Sequence, residues 1–292
     1  MKKTGVLKIG QFHSNENPEE FYANTLGVHL RTRHKDISVP HRHDFYLTVL
    51  FTKGTGTHEI DFTSYAVKPG ALFFLNPGQT HHWELSDDTD GYIFFHTQSF
   101  YDLHYSHSRV ADFPFYYSMH SIPHLMLDKT ALPEMETLFA SVLEESQLAA
   151  PLQREALVSL VNLIYIRSAR QYAAFSGETP AKPDSYYDRF RMFETLIEKH
   201  YRDEKLPSAY ANMLNISPKH LNRITQAAVG KTAGDVILDR VLLEAKKELV
   251  LQQKGFAEIA YSLGYDDYAY FSRLFKKKTG ETPSSFLKRY IG

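Results

Sequence analysis

Two stretches in the last third of the chain follow one plan, and that duplication constrains the fold more than any other feature. Residues 206–224 read as two short helices joined by a tight turn. Ala211 is small enough to let them cross closely, and Leu214 and Ile216 bracket the turn. Ser217 is placed to cap the second helix with Pro218 at its first position, while Leu221 and Ile224 fill its inner face. About fifty residues later the plan recurs over residues 256–280. A helix ends on Gly264 with Ala260 at the crossing, and the next begins on Asp266 and Asp267 and ends on Lys276, Lys277 and Lys278, as the helix dipole favours. Phe271, Leu274 and Phe275 form its apolar stripe. Between the two, residues 233–254 predict one long helix buried along Val236, Ile237, Val241, Leu242, Ala245, Leu249 and Val250.

What these units leave outward defines their chemistry. The first offers Lys219, His220, Asn222, Arg223 and Gln226; the second offers Tyr268, Ala269, Ser272, Arg273, Lys276 and Lys277. Such side chains suit base edges and phosphates, although any one of them also fits a solvated helix face. Tyr268 and Tyr270 divide between an outward and a packed role. A connecting helix of about 20 residues spans ~30 Å, enough to hold two reading helices roughly one DNA turn apart.

The formal charge of −1 conceals this. Residues 1–185 carry 15 Lys and Arg against 21 Asp and Glu, whereas residues 186–292 carry 18 against 13. The basic half therefore has a net +5 and the acidic half −6. Thirteen of 15 histidines precede residue 125. Gly177, Pro180 and Pro183 mark the seam, since they cannot continue a helix. The expected division is 1–176, a linker at 177–185, and 186–292. The chain contains no cysteine, which excludes disulfides, thiolate metal sites and cysteine nucleophiles and suits a reducing cytoplasm. Its apolar runs are too short to span a bilayer, so no membrane partner is expected.

The acidic half changes period midway. Short β-rich runs at 46–52, 58–62, 71–75 and 91–96 alternate with Gly- and Pro-containing turns, which predicts an antiparallel sandwich or small barrel. From Leu132 onward the spacing is helical, and a second helix carries the stripe Leu152, Ala156, Leu157, Leu160, Val161 and Ile164. That stripe either packs on the β-structure or pairs with its copy as a dimer seam.

His41-Arg42-His43 places two imidazoles on one strand face, and residues 69–81 resemble the second motif of the cupin superfamily, with His81 at its histidine position. The resemblance implies a His41, His43, His81 metal site, but Leu47 stands where that family's glutamate belongs. Three readings stay open for these histidines: a metal site, an effector pocket, or structural residues. For a pocket, Tyr46, Trp83 and Tyr92 could supply flat walls, and Arg31, Arg33, Lys53, His41, His43 and His81 polar contacts. Arg31 and Arg33 share a face with His29 if the segment is a strand.

The longest signature lies in the basic half: Ala245-Lys246-Lys247-Glu248-Leu249, Glu258-Ile259-Ala260, Gly264-Tyr265, Tyr270-Phe271-Ser272-Arg273, Phe275-Lys276-Lys277, Gly280 and Pro283. It resembles the AraC/XylS family of transcription regulators. The resemblance implies an α+β two-domain chain, a cupin-like β-barrel with dimerisation helices followed by an all-α double helix-turn-helix. It further implies a small-molecule effector, double-stranded DNA, a homodimer and RNA polymerase as partners, an activator more than a repressor, and no enzymatic activity or cofactor. A metal-dependent cupin enzyme with an accessory DNA-binding domain is the alternative. Two positions depart from the family pattern: Thr225-Gln226 replaces Phe-Lys, and Leu287 follows Phe286 where arginine is usual.

Overall fold

The computed structural model describes residues 6–12, 20–32, 39–105, 109–176, 185–251 and 254–291. The chain divides into two compact units, Met1–Pro180 and Ala181–Gly292. Residues 177–184 of the expected linker lie outside the described residues, and Ser185 opens a helix instead.

The first unit is β-rich, as its turn spacing predicts. A five-stranded sheet has the order β10-β7-β4-β9-β2, formed by His124–Met126, Ala71–Leu75, Tyr46–Lys53, Asp90–His96 and Phe21–Thr25. A three-stranded sheet, β6-β5-β8, comprises Thr63–Val67, Gly56–Ile60 and His81–Leu85. The short strands β1 (Val6–Leu7) and β3 (Arg42–His43) pair in parallel. Among the described residues the two larger sheets face each other rather than closing into one hydrogen-bonded ladder. One edge is tied by reciprocal backbone bonds between His41 and His81 at 3.1 and 2.9 Å.

Strand β4 is apolar on both of its faces. Tyr46, Leu47, Val49, Leu50 and Phe51 are all buried, because both faces of the large sheet are covered. Leu47, Val49 and Phe51 point toward the three-stranded sheet and pack with Phe45, Phe73, Phe95 and Trp83. Tyr46 and Leu50 point the other way, with Leu72, Phe74 and Phe94, onto α3 (Ala131–Gln147) and α4 (Gln153–Ser176). One sheet thus separates two cores.

The helix side corrects the dimer seam. Leu157, Val161 and Ile164 are buried in the core of their own chain, and Leu160 packs against it, so the sheet, not a second copy, takes this face. Ala156 is half-buried, and Leu152, at 72% exposure, is the one residue of the expected stripe that stands clear.

A second correction concerns Leu26–Thr32, which is a helix, α1, rather than a strand. Gly27 N–H donates to Asp90 Oδ1 at 2.9 Å, fixing the helix start against β9. His29 turns inward, its Nδ1 3.0 Å from Tyr22 Oη and its ring against Phe12 and Phe95, while Arg31 is exposed. No strand face unites them, and Arg33 lies outside the described residues.

The second unit is all-helical: α5 (Ser185–His200), α6 (Pro207–Met213), α7 (Pro218–Val229), α8 (Ala233–Leu251), α9 (Phe256–Ser262), α10 (Tyr268–Thr279) and α11 (Pro283–Ile291). Its core gathers Phe193, Ile197, Tyr210, Leu221 and Ile224 around the buried face of α8 predicted from sequence. Arg240 on α8 grips Glu198 on α5 through Nε and Nη2 at 2.6 and 2.8 Å, which holds the Glu198 carboxyl below its ordinary range.

Candidate nucleic-acid interface and effector site

Helices α6–α7 and α9–α10 repeat one geometry. At the first turn Ile216 N–H donates to Ala211 O at 3.0 Å; at the second Tyr265 N–H donates to Ala260 O at 3.1 Å. Both turns pass through a left-handed residue, Asn215 at φ 54° and Gly264 at φ 79°. A Cβ on Gly264 would sit 2.0 Å from the Arg202 carbonyl oxygen, so only glycine fits there. Ser217 Oγ accepts from His220 N–H and Asp267 from Ala269 N–H, capping α7 and α10 as their sequences require. Both helices end on left-handed glycines, Gly230 and Gly280.

Leu221, Ile224, Phe271 and Phe275 are buried, which turns the opposite faces of α7 and α10 to solvent. Lys219, Arg223, Gln226, Ala269, Arg273, Lys276 and Lys277 are exposed; His220, Asn222, Tyr268 and Ser272 are half-buried. Two of these have work inside the fold. Asn222 Oδ1 accepts from Ala233 N–H at 2.9 Å and so caps α8, a role within the fold beside the outward one expected of it. Arg223 Nη2 donates to His220 Nδ1 at 3.1 Å, leaving His220 Nε2 as the protonated nitrogen in its neutral form. Tyr270 is the more outward of the two tyrosines, 53% exposed, and Tyr268 lies beside Phe256. Lys278 pairs with Asp235 at 2.5 Å, on the first turn of α8. Sequence reading missed this link because its partners are 43 residues apart.

In the β-rich unit, parity corrects the expected pocket. Trp83 faces the space between the sheets, whereas Tyr46 stacks on His96 and Tyr92 approaches Phe139 on the helix side, so the three rings cannot wall one cavity. Lys53 is exposed at the end of β4, 3.9 Å from Asp88. Arg31 is exposed as well, so among the described residues no cationic row enters the sandwich.

The histidines do converge. His41, His43 and His81 are buried together and each offers a ring nitrogen within 4.8 Å of the others. His43 Nε2 lies 2.8 Å from His81 Nε2, and His58 Nε2 lies 3.0 Å from His81 Nδ1. Burial depresses their basicity, taking His41 to about 4 and His43 to about 3 and pushing His58 well below its ordinary value. His41, His43 and His58 are therefore neutral at pH 7. His58 was overlooked in sequence, where it is a lone histidine; the pairing of His58 with Trp83 across β5 and β8 brings it in. A second polar cluster, also unforeseen, lies on the helix side. Tyr165 Oη is 2.6 Å from His96 Nε2, 3.2 Å from Tyr116 Oη and 3.3 Å from Thr48 Oγ1.

A β-rich unit of two facing sheets followed along the chain by a duplicated helix-turn-helix is the organisation of a DNA-binding transcription regulator with a separate ligand-binding domain. Residues 27–160 match the AraC-like ligand binding domain and residues 210–289 a helix-turn-helix domain, and the chain belongs to the AraC family of transcription regulators. It is 22% identical to the transcriptional activator RhaS of Shigella dysenteriae over 83% of this chain and 85% of that one. It is 23% identical to the arabinose operon regulatory protein of Salmonella typhimurium over 82% and 83%. A crystal structure of ToxT from Vibrio cholerae aligns at 14% identity and TM-score 0.46, covering 94% of this chain and 100% of that one. No helix among the described residues is long and apolar enough to cross a membrane.

Proposed function

We propose that the protein is a cytoplasmic, effector-gated activator that binds DNA as a homodimer, with α7 and α10 of each copy in successive major grooves and RNA polymerase as a further partner. One observation carries this reading. Arg223 and Arg273 stand fifty positions apart on two helices of equal length, equally capped and both exposed on the solvent face. Arginine is the residue best able to make a bidentate contact to guanine, and a matched pair on a duplicated scaffold suits a two-groove reader. Lys276 and Lys277 supply phosphate contacts, and the buried histidine side of the β-rich unit receives the effector. No catalytic step is assigned to any residue. Since the expected dimer stripe is largely used within its own chain, a second copy would meet other surface, with Leu152 just before α4 and the 39%-exposed Leu163 on it as exposed apolar residues nearby.

Selection of bound sites from a random DNA pool tests the reading. It should yield two short conserved blocks about one helical turn apart, and Arg223→Ala and Arg273→Ala should each blur one block. Recovery of unselected sequence by the full chain would refute it.

A further inference from the structure

The two helix-turn-helix units touch through one loop. Residues 201–206 join α5 to α6 in the first unit, and they lie against the turn between α9 and α10 in the second. We infer that Arg202 is a positioning residue for DNA reading: it locks the second unit onto α8 and so fixes which separation and rotational phase of two sequence blocks the protein accepts. This rests on the reading of α7 and α10 as helices that enter successive major grooves.

The guanidinium of Arg202 reaches two elements at once. Its Nη1 donates to the Ser262 carbonyl oxygen at 3.0 Å, in the last turn of α9, where carbonyls left unpaired by the helix end favour a cation. Its Nη2 donates to Glu244 Oε1 at 3.3 Å and stands 3.9 Å from Glu248 Oε1, both on α8. The backbone of the same residue acts in the same direction. Its carbonyl oxygen lies so close to Gly264 that a Cβ there would come within 2.0 Å, and it accepts from Lys205 Nζ at 2.7 Å. Lys205 Nζ in turn sits 5.5 Å from the centre of the Tyr265 ring. Ser262, Gly264 and Tyr265 close α9 and lead into α10, so the loop holds the second reading helix near its origin.

The carboxylates that receive Arg202 are themselves held in place. Glu244 is buried and also accepts from Arg240 Nη1 at 3.0 Å, and Arg240 is the partner of Glu198 on α5. Glu248 pairs with Lys254 at 3.2 Å. The Tyr201 ring lies beside both guanidinium groups, with Arg240 at 4.0 Å and Arg202 at 5.1 Å from its centre. Charges of opposite sign alternate along this chain of side chains. Removing Arg202 releases α9 from it while leaving the grip of Arg240 on Glu198 intact.

With 38% of its side chain exposed, Arg202 gains little from any one of these pairs. Its contribution is geometric. Along the sequence the second unit joins α8 only through residues 252–255. Lys278 ties it to Asp235 near the start of α8, and Arg202 ties it to Glu244 and Glu248 roughly 15–20 Å further along the same helix. Two polar ties so far apart resist a swing of the unit over its apolar contact with α8, whereas one alone is a pivot.

The chain contains no cysteine, so spin labels can be attached at chosen positions. Labels on Ala227→Cys in α7 and Lys277→Cys in α10, both exposed, report the separation of the two reading helices in the full chain without DNA by pulsed dipolar spectroscopy. One narrow distance distribution is expected. Arg202→Met should broaden or split it, with Arg202→Lys in between, because an ammonium lacks the planar fork that serves two elements together. On a selected site, one base pair inserted between the blocks should lower wild-type affinity by about 10–100-fold and that of Arg202→Met by no more than about fivefold, while a site with a single block binds both alike. A distribution of equal width in the wild type and both variants would overturn the tie, and Arg202→Lys decides alone if Arg202→Met fails to fold. A broadened distribution with the spacing penalty unchanged would overturn its role in site choice. A wild-type chain that binds no DNA would sink the two-groove reading, and that role with it, whatever the distances show.

Discussion

The two helix-turn-helix units share a backbone and differ in what they attach to it. In α7 and α10 the inner positions Leu221 and Phe271, the arginines Arg223 and Arg273, and the terminal glycines Gly230 and Gly280 fall at matching places. The last turns diverge: Gln226, Ala227 and Ala228 in α7 stand where α10 has Lys276, Lys277 and Lys278. The turns diverge too, with Asn215 in the first and Gly264 in the second. Both units are tied to α8, through Asn222 and Lys278, but the last turn of the first is sparing in charge while that of the second carries a run of lysines suited to phosphate. The shared backbone thus carries two different charge patterns.

The turn glycine offers the largest contrast. Gly264→Ala should destabilise the protein by about 3 kcal/mol or more, since its Cβ meets the Arg202 carbonyl and its backbone is left-handed. Asn215→Gly at the corresponding turn should stay within roughly 0.5 kcal/mol, because the conformation already admits both residues. Urea denaturation of the two variants decides it; equal losses would mean that the two turns are under the same constraint.

Next come the arginines. Arg223→Ala and Arg273→Ala should each cost about 1–3 kcal/mol on a selected site and relax a different half of it. Competition binding with sites mutated in one half at a time reads this directly, and loss of the same half in both variants would break the two-groove assignment.

Asn222→Ala should remove the cap on α8 and cost about 1 kcal/mol in thermal unfolding, whereas Ser272→Ala, at the matching place on α10, should cost only a few tenths. A silent Asn222→Ala would return that residue to the DNA face alone. Smallest at any one salt concentration is the charge difference. Replacing both Lys276 and Lys277 by alanine should lower the slope of log affinity against log salt by about 2, at roughly 0.9 per phosphate contact. Gln226→Ala should leave the slope unchanged, and Gln226→Lys should steepen it if the first unit can be given its sister's grip.

What was legible in the sequence was what local spacing determines. Ser217, Pro218, Asp267 and the apolar positions of α7 and α10 act within a turn or two, so their roles could be read directly. The β-run boundaries followed from turn residues in the same way. The faces of the large sheet did not, because Tyr46 and Leu47 are equally apolar and only the packing of α3 and α4 assigns them to opposite cores. Leu26, Val28 and Leu30 alternate as a strand would, and a cap from Asp90, 63 residues away, makes them helical. The histidine pair at 41 and 43 was visible as a candidate, but His58 required the β5–β8 register.

The first turn of α8 receives both reading helices: Asn222 from α7 reaches Ala233, and Lys278 from α10 reaches Asp235. Three consecutive residues therefore act as the gauge of the instrument. On the proposed two-groove reading, a substitution there would leave every reading side chain in place yet reset the distance between the two helices, so that a new spacing of target sequence becomes reachable.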